Sequence, residues 1–281
     1  LYSREVKRTN RIGVGMTGIH EFAWNQFGYG FLDLVDEQKS QDFWQTIARF
    51  KRAVVDEAKK YAKIMNVNVP HTNTTIKPSG TVSKLFALSE GAHLPAMREY
   101  MRWVQFKEDD AVVEQYRKRK FPVKELKSYQ GTVAVGFPTQ PEICRLGMGG
   151  KLLTASEASM EDQFKWLMLL EKYWIVGVDE KGKALADTGN QVSYTLKYDP
   201  ELVTYDKYKE MVIKYQPLIK TCSLMPKIDV TAYEYQPEES VTSNDFMKVI
   251  REINEASNGE EDLLEDINLE HLKCESGACP I

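Results

Sequence analysis

Cysteine is scarce, with four in 281 residues. That excludes a secreted scaffold stapled by disulfides and points to a reducing cytoplasm. No apolar run approaches the ~18 residues of a membrane span, and no secretory signal opens the chain. Basic residues are not in excess: the net charge of −4 argues against nucleic-acid binding as the main task. The phosphate-loop spacing G-x-x-x-x-G-K-[ST] is missing, and so is any obvious internal repeat. Methionine does not stand first. Leu1 does, which suggests a processed or trimmed product, or the later part of a larger polypeptide. The 42% hydrophobic content suffices for a large core in one large domain or two ordinary ones.

What is present centres on Thr74 to Leu88. A short run of β-formers breaks at Pro78-Ser79-Gly80 and resumes as a helix-compatible segment, which reads as strand, tight turn and helix start. Pro78 fixes its own φ and donates no hydrogen bond. Gly80 lets backbone approach a ligand. The amides of Ser79, Gly80, Thr81, Val82 and Ser83 then stand at a helix N-terminus, where free N–H groups and the positive dipole end favour an anion such as phosphate. Thr81 and Ser83 add hydroxyls, and Lys77 and Lys84 add positive charge. An ordinary strand-to-helix connection capped by Ser79 or Thr81 is the competing reading.

Around this stretch, strands and helices alternate, which indicates an α/β architecture. The glycines of Asn10 to His20 imitate G-x-G-x-x-G without a convincing strand before them, so they read as a helix start packed closely through small residues. Phe43, Ile47, Phe50, Val54, Ala58 and Tyr61 recur at helical spacing and predict a long amphipathic helix from Gln41 to Met65. Glu90 to Pro95 is a loop whose His93 is either catalytic or, more commonly for such a residue, a structural hydrogen-bonding group. Strands are expected near Arg98–Val104, at Thr132–Phe137, over Gln191–Lys197 and at Thr221–Met225. Helices are expected over Glu108–Lys120, after a capping box at Thr154–Glu157 or a second start at Ser159, from Asp199-Pro200, and after Thr242-x-x-Asp245. Cys222 reads as a buried structural thiol.

From Asn258 to Cys274 the chain is acidic and poor in aromatics, and reads as a mobile arm or weak helix. It ends in Cys274-Glu275-Ser276-Gly277-Ala278-Cys279-Pro280-Ile281. A zinc site needs two further ligands, and only His271 is at hand. A redox dithiol explains the pair better, because thiols on an arm can carry electrons between a buried disulfide and an external reductant.

That ending resembles the C-terminal tail of monomeric, adenosylcobalamin-dependent (class II) ribonucleoside-triphosphate reductases. Thr75 to Ser83 resembles the family's substrate-phosphate loop, and Asn10 to Gly18 a motif of its barrel. Gln191-Val192-Ser193, Leu224 to Asp229 and Tyr235-Gln236-Pro237 fit in the same order. The resemblance implies that residues 1–257 are the C-terminal part of a ten-stranded α/β barrel and that 258–281 form a flexible redox tail. It implies substrate phosphate on Pro78, Ser79, Gly80, Thr81, Val82 and Ser83, and catalytic redox exchange at Cys274 and Cys279. It also implies adenosylcobalamin, shared with an N-terminal chain that carries the thiyl cysteine, a ribonucleoside triphosphate as substrate, and thioredoxin or a similar reductant. The family's Asn-Pro-Cys-Gly-Glu-like motif is absent, and Cys144 in Pro141-Glu142-Ile143-Cys144-Arg145 does not match it. The chain is therefore not expected to catalyse the reaction alone. It has neither the adjacent tyrosine pair of the iron-dependent class nor the glycyl-radical motif of the anaerobic class. The readings to be weighed against this one are a non-catalytic phosphate-ligand binding protein with a metal-holding cysteine tail, and a free-standing thiol oxidoreductase.

Overall fold

The computed structural model describes residues 1–186, 188–227 and 236–257. The chain opens with α1 (Tyr2–Thr9), which ends where Asn10 turns left-handed at φ 41°. Then come α2 (Ile19–Phe27), the short α3 (Phe31–Leu34) and α4 (Gln41–Ile64), the last almost as its periodicity predicts. The strand, turn and helix expected next are β1 (Thr74–Ile76) and α5 (Gly80–Leu85). They are followed by β2 (Tyr100–Lys107), α6 (Ala111–Lys118), β3 (Val123–Glu125), β4 (Thr132–Thr139) and α7 (Glu142–Arg145). α8 (Met160–Leu170) starts at Ser159, whose hydroxyl accepts the Asp162 N–H. The alternative start closes a turn on itself instead: the Glu157 carboxylate accepts the Thr154 N–H and hydroxyl at 2.9 and 2.8 Å. α8 widens into a π-helical segment, Glu171–Val176. β5 (Gly189–Val192), β6 (Thr195–Tyr198), α9 (Tyr205–Tyr215), β7 (Ser223–Pro226), β8 (Glu238–Ser240) and α10 (Ser243–Ala256) complete the order. Thr242 caps α10 by accepting the Asp245 N–H, as its sequence predicts.

Two expectations need correction here. The strand over Gln191–Lys197 is broken at Ser193-Tyr194, because the chain changes partners there: β5 pairs with β1, and β6 pairs with β7. Asp199-Pro200 does not start a helix. The Asp199 carboxylate accepts the Glu201 N–H at 3.0 Å and pairs with Lys227 at 3.2 Å, which makes a turn, and α9 begins only after its Thr204 cap.

The described residues form two units. The first comprises Leu1–Ser79, Ser89–Ala96 and Lys151–Lys227. Its strand pairings are parallel: β1 with β5, β6 with β7, and a bridge from Val14 to Thr74. Parallel neighbours need crossover connections, and their apolar strands need cover. α4 and α8 supply that cover. Phe43, Trp44 and Ile47 from α4 and Phe164, Trp166 and Leu167 from α8 share one core with Ile76, Val192 and Leu196 of the strands. This is a half-barrel sheet; the described residues do not close a ten-stranded barrel. α4 buries the expected face only in part: Phe43 and Ile47 are enclosed and Val54 packs against the core. Phe50 and Tyr61 are exposed, whereas Trp44 and the whole of Lys51 are buried.

The second unit comprises Gly80–Leu88, Met97–Gly150 and, of the C-terminal residues described, 236–257. It is built on an antiparallel sheet in the order β3-β4-β2-β8. Tyr116 of α6 and Ile253 of α10 pack with Phe121, Val135 and Phe137 against it. Reading 1–257 as one portion of a barrel did not anticipate this sheet.

His20 of α2 gives the first unit a pH dependence. Its ring lies 5.1 Å from Trp166 and 6.1 Å from Phe31, and its Nε2 has no partner among the described residues. Burial holds its pKa down at about 4, against the ordinary 6.5. Between pH 6.5 and 4 the unfolded chain takes up a proton that the folded chain refuses. The associated stability is complete above 6.5 and declines as pH falls through that window, by about 3 kcal/mol in all. His20→Phe is expected to flatten the pH dependence of the unfolding free energy there. Denaturant titrations at pH 7, 5.5 and 4.5 giving the same slope for both chains would show that His20 is not the cause.

Candidate functional site

The turn between β1 and α5 begins with Lys77, which is exposed, and continues through Pro78 and Ser79. The left-handed residue is Ser79, at φ 59°, and Gly80 is instead the first residue of α5. A non-glycine residue in that conformation is strained, and strain of this kind concentrates where a backbone must present itself to a ligand. The first turn of α5 has no acceptors within the helix for its N–H groups. Thr81 and Val82 on that turn are exposed. Ser83 is fully buried, so the hydroxyl expected beside that of Thr81 points into the protein. The Lys84 ammonium is held by Glu238 of β8 at 2.7 Å, in a pair that is largely shielded from solvent. Lys77 is thus the exposed cation of the stretch, and Lys84 is tied down.

The approach to this turn is fixed by groups the sequence did not reveal. The Lys51 ammonium, reaching in from α4, donates to the hydroxyls of Thr74 at 2.8 Å and Thr188 at 3.2 Å. The Thr74 hydroxyl in turn donates a hydrogen bond to the Trp174 carbonyl at 3.0 Å, and the Trp174 indole N–H donates to the Thr75 carbonyl at 2.9 Å. A lysine among Trp44, Ile47 and Ala48 was the available signal for this arrangement. The glycine-rich segment also serves β1. Val14 accepts the Thr75 N–H and donates to Asn73, which places Gly13 and Gly15 beside an edge strand ahead of the helix start.

His93 is structural. Its Nε2 accepts the Thr195 N–H at 3.0 Å, which makes Nδ1 the protonated nitrogen that donates to the Glu90 carbonyl at 3.0 Å. The ring stacks on Tyr194 at 4.8 Å, and burial lowers its pKa. Cys144 is buried in α7, its thiol 3.9 Å from the Arg98 carbonyl. Cys222 precedes β7 and is half-buried, so it is not the enclosed strand residue expected. Burial raises its thiol pKa. Cys274 and Cys279 lie outside the described residues. Among the described residues no cluster of His, Cys, Asp and Glu is suited to a metal ion, and no helix is long and apolar enough to cross a membrane.

No family model matches the chain. Curated proteins do. An adenosylcobalamin-dependent ribonucleoside-triphosphate reductase of Lactobacillus acidophilus is 26% identical over 98% of this chain. The enzyme of the same name from Levilactobacillus brevis is 26% identical over 99%, and that of Lactobacillus leichmannii 24% identical over 99%. The chain spans only 37–38% of the length of these relatives. The crystal structure of a B12-dependent (class II) ribonucleotide reductase superposes on 93% of the chain, and on 37% of its own, with a TM-score of 0.73 and 21% identity. Along nearly its whole length, then, the chain is similar in sequence to adenosylcobalamin-dependent ribonucleoside-triphosphate reductases and in fold to a class II ribonucleotide reductase.

Proposed function

We propose that the chain is the C-terminal part of a class II ribonucleotide reductase, which converts ribonucleoside triphosphates to 2′-deoxyribonucleotides together with an N-terminal chain or segment. The observation that carries this reading is the similarity to named reductases over 98% of the chain. In this reading the parallel strands of the first unit, within residues 1–257, contribute to the ten-stranded barrel, the reaction is cytoplasmic, and the complementary part brings the thiyl cysteine. The amides of residues 79–83 hold the substrate's phosphates, with Lys77 adding charge.

Adenosylcobalamin would supply the radical when bound. The buried polar atoms that lack partners among the described residues are His20 Nε2, Asn73 Oδ1 and Asn254 Oδ1. The His20 ring is enclosed by Phe31 and Trp166, and Asn73 is buried, so these two do not fit as corrin contacts. The tail supplies electrons. A Cys274 or Cys279 thiolate attacks a disulfide left in the barrel, and its neighbour resolves the mixed disulfide. Two electrons and two protons pass inward, the tail becomes the disulfide, and a thioredoxin-like dithiol reduces it again.

The phosphate assignment predicts that Gly80→Val, which adds bulk on the first turn of α5, weakens nucleotide binding by the reconstituted enzyme by about tenfold or more. Equilibrium binding of a radiolabelled ribonucleoside triphosphate measures this. Unchanged affinity would remove the loop from the site. Stoichiometric zinc in the purified chain would favour the alternative of a phosphate-ligand binding protein with a metal-holding tail.

A further inference from the structure

We infer that Lys51, Thr74 and Trp174 are positioning residues that set where the turn at 77–79 stands, and thereby the enzyme's affinity for substrate phosphate. The inference rests on the loop assignment above.

A fully buried lysine is an unusual choice for a helix that packs Phe43, Trp44 and Ile47 into a core, because removing a charge from water is costly unless its donors are used. Here they are used on Thr74 of β1 and on Thr188, just ahead of β5. The backbone also makes room for the lysine. Gly177 is left-handed at φ 83°, and a Cβ there would lie 2.6 Å from Lys51 Cγ. Thr74 is committed on both sides, accepting from Lys51 and donating to the Trp174 carbonyl.

The π-helical segment explains why that carbonyl is available. Its last turn is closed by the Gly177 N–H bonding the Lys172 carbonyl at 3.0 Å, and the Trp174 carbonyl lies beyond, among the acceptors a helix end leaves over. One residue, Trp174, thus grips β1 twice, through its carbonyl at Thr74 and its indole at Thr75.

The restraint continues to the turn itself. The Thr75 hydroxyl donates to the Gln191 carbonyl at 3.0 Å, and the Ile76 carbonyl accepts the Ser193 N–H at 2.8 Å. Gly91, left-handed at φ 58°, sits so close beneath Lys77 that a Cβ would lie 2.2 Å from the Lys77 carbonyl oxygen. From Thr74 to Ile76 every residue is held by hydrogen bonds, Lys77 packs closely on Gly91, and Ser79 follows two positions later. Such bracing suits a strand that delivers amides to a fixed point, since a misplacement of about 1 Å can cost up to ~10²-fold.

The test uses Thr74→Val, which keeps the shape and removes the hydroxyl, and Thr74→Ser, which restores it. In the reconstituted enzyme Thr74→Val is expected to raise KM for the ribonucleoside triphosphate about tenfold, with kcat per folded enzyme within about twofold. Thr74→Ser is expected to return KM to within about twofold of the parent. Trp174→Phe, which keeps an aromatic ring and loses the indole N–H, provides the same reading if Thr74→Val does not fold. A merely structural role would lower Tm and the active fraction while leaving KM unchanged, and that result overturns the inference. Gly80→Val is measured alongside. If it weakens binding while Thr74→Val and Trp174→Phe do not, the brace alone is wrong. If no variant changes affinity, the loop assignment has failed and the inference with it.

Discussion

A chain in which Cys274 and Cys279 are both serine is expected to lose thioredoxin-supported multiple turnover and to keep a single turnover from pre-reduced enzyme. The reason is electron supply. In the proposed reaction each reduction of a ribose 2′-hydroxyl consumes two electrons and leaves a disulfide in the barrel, where a protein reductant has poor access. Sixteen peptide steps separate Asn258 from Cys274. A segment of that length spans ~50 Å when fully extended and typically ~20–24 Å as a coil. Either reach suffices to join an interior disulfide to the surface. Serine cannot take part in thiol exchange, so the barrel disulfide persists after one cycle. A small dithiol, which can diffuse to it, is expected to restore part of the steady rate. Rapid-quench measurement of product per active site, followed by steady-state assays with thioredoxin and then dithiothreitol, separates these stages. Normal thioredoxin-supported turnover in the double variant would show that the pair is not the shuttle.

The second large effect concerns the complementary part. The chain alone is expected to form no deoxyribonucleotide, and turnover is expected to appear when a polypeptide carrying an Asn-Pro-Cys-Gly-Glu-like motif is added. The chain spans 37% of the length of its relatives. The first unit presents apolar surface consistent with further packing: Tyr2, Val6, Ile12, Val14, Tyr61, Ile64, Met65, Val67 and Val69 are all exposed. Several of these belong to one connected region, since Asn68 donates to the Lys7 and Arg8 carbonyls and accepts from Asn10. Apolar surface of this kind is association-prone. Size-exclusion chromatography of the mixed chains is expected to show a complex, with activity in that peak. Reductase activity from this chain by itself would refute the requirement.

Much of the helical framework was legible, because caps and periodicity are local signals. Ser159 and Thr242 each accept an N–H from the first turn of a helix, and α4 ends almost where its pattern stops. The strand-turn-helix at Thr74 was legible for the same reason, since proline and glycine mark the break. What escaped depends on distant partners. The interruption at Ser193-Tyr194 reflects an exchange of β1 for β7, which no alternation of side chains encodes. The antiparallel sheet of β3, β4, β2 and β8 joins residues far apart in sequence, and β8 is too short to be noticed alone.

The site was half legible. Its backbone scheme followed from residue types, but the roles of side chains did not. Ser83 turned inward, Lys84 found Glu238, and the left-handed position fell on Ser79. Lys51 does not stand out in the sequence because an amphipathic pattern treats a lysine as a solvated residue, whereas this one is buried and donates to two threonines.

The central claim is that this chain is part of a cobalamin-dependent ribonucleotide reductase. The most direct measurement is deoxyribonucleotide formation from a ribonucleoside triphosphate by the chain and its co-purifying complement, with adenosylcobalamin present or withheld. The account predicts product only when both polypeptides and the cofactor are present. A complete mixture that forms no product, or one that forms product equally well without adenosylcobalamin, would contradict it.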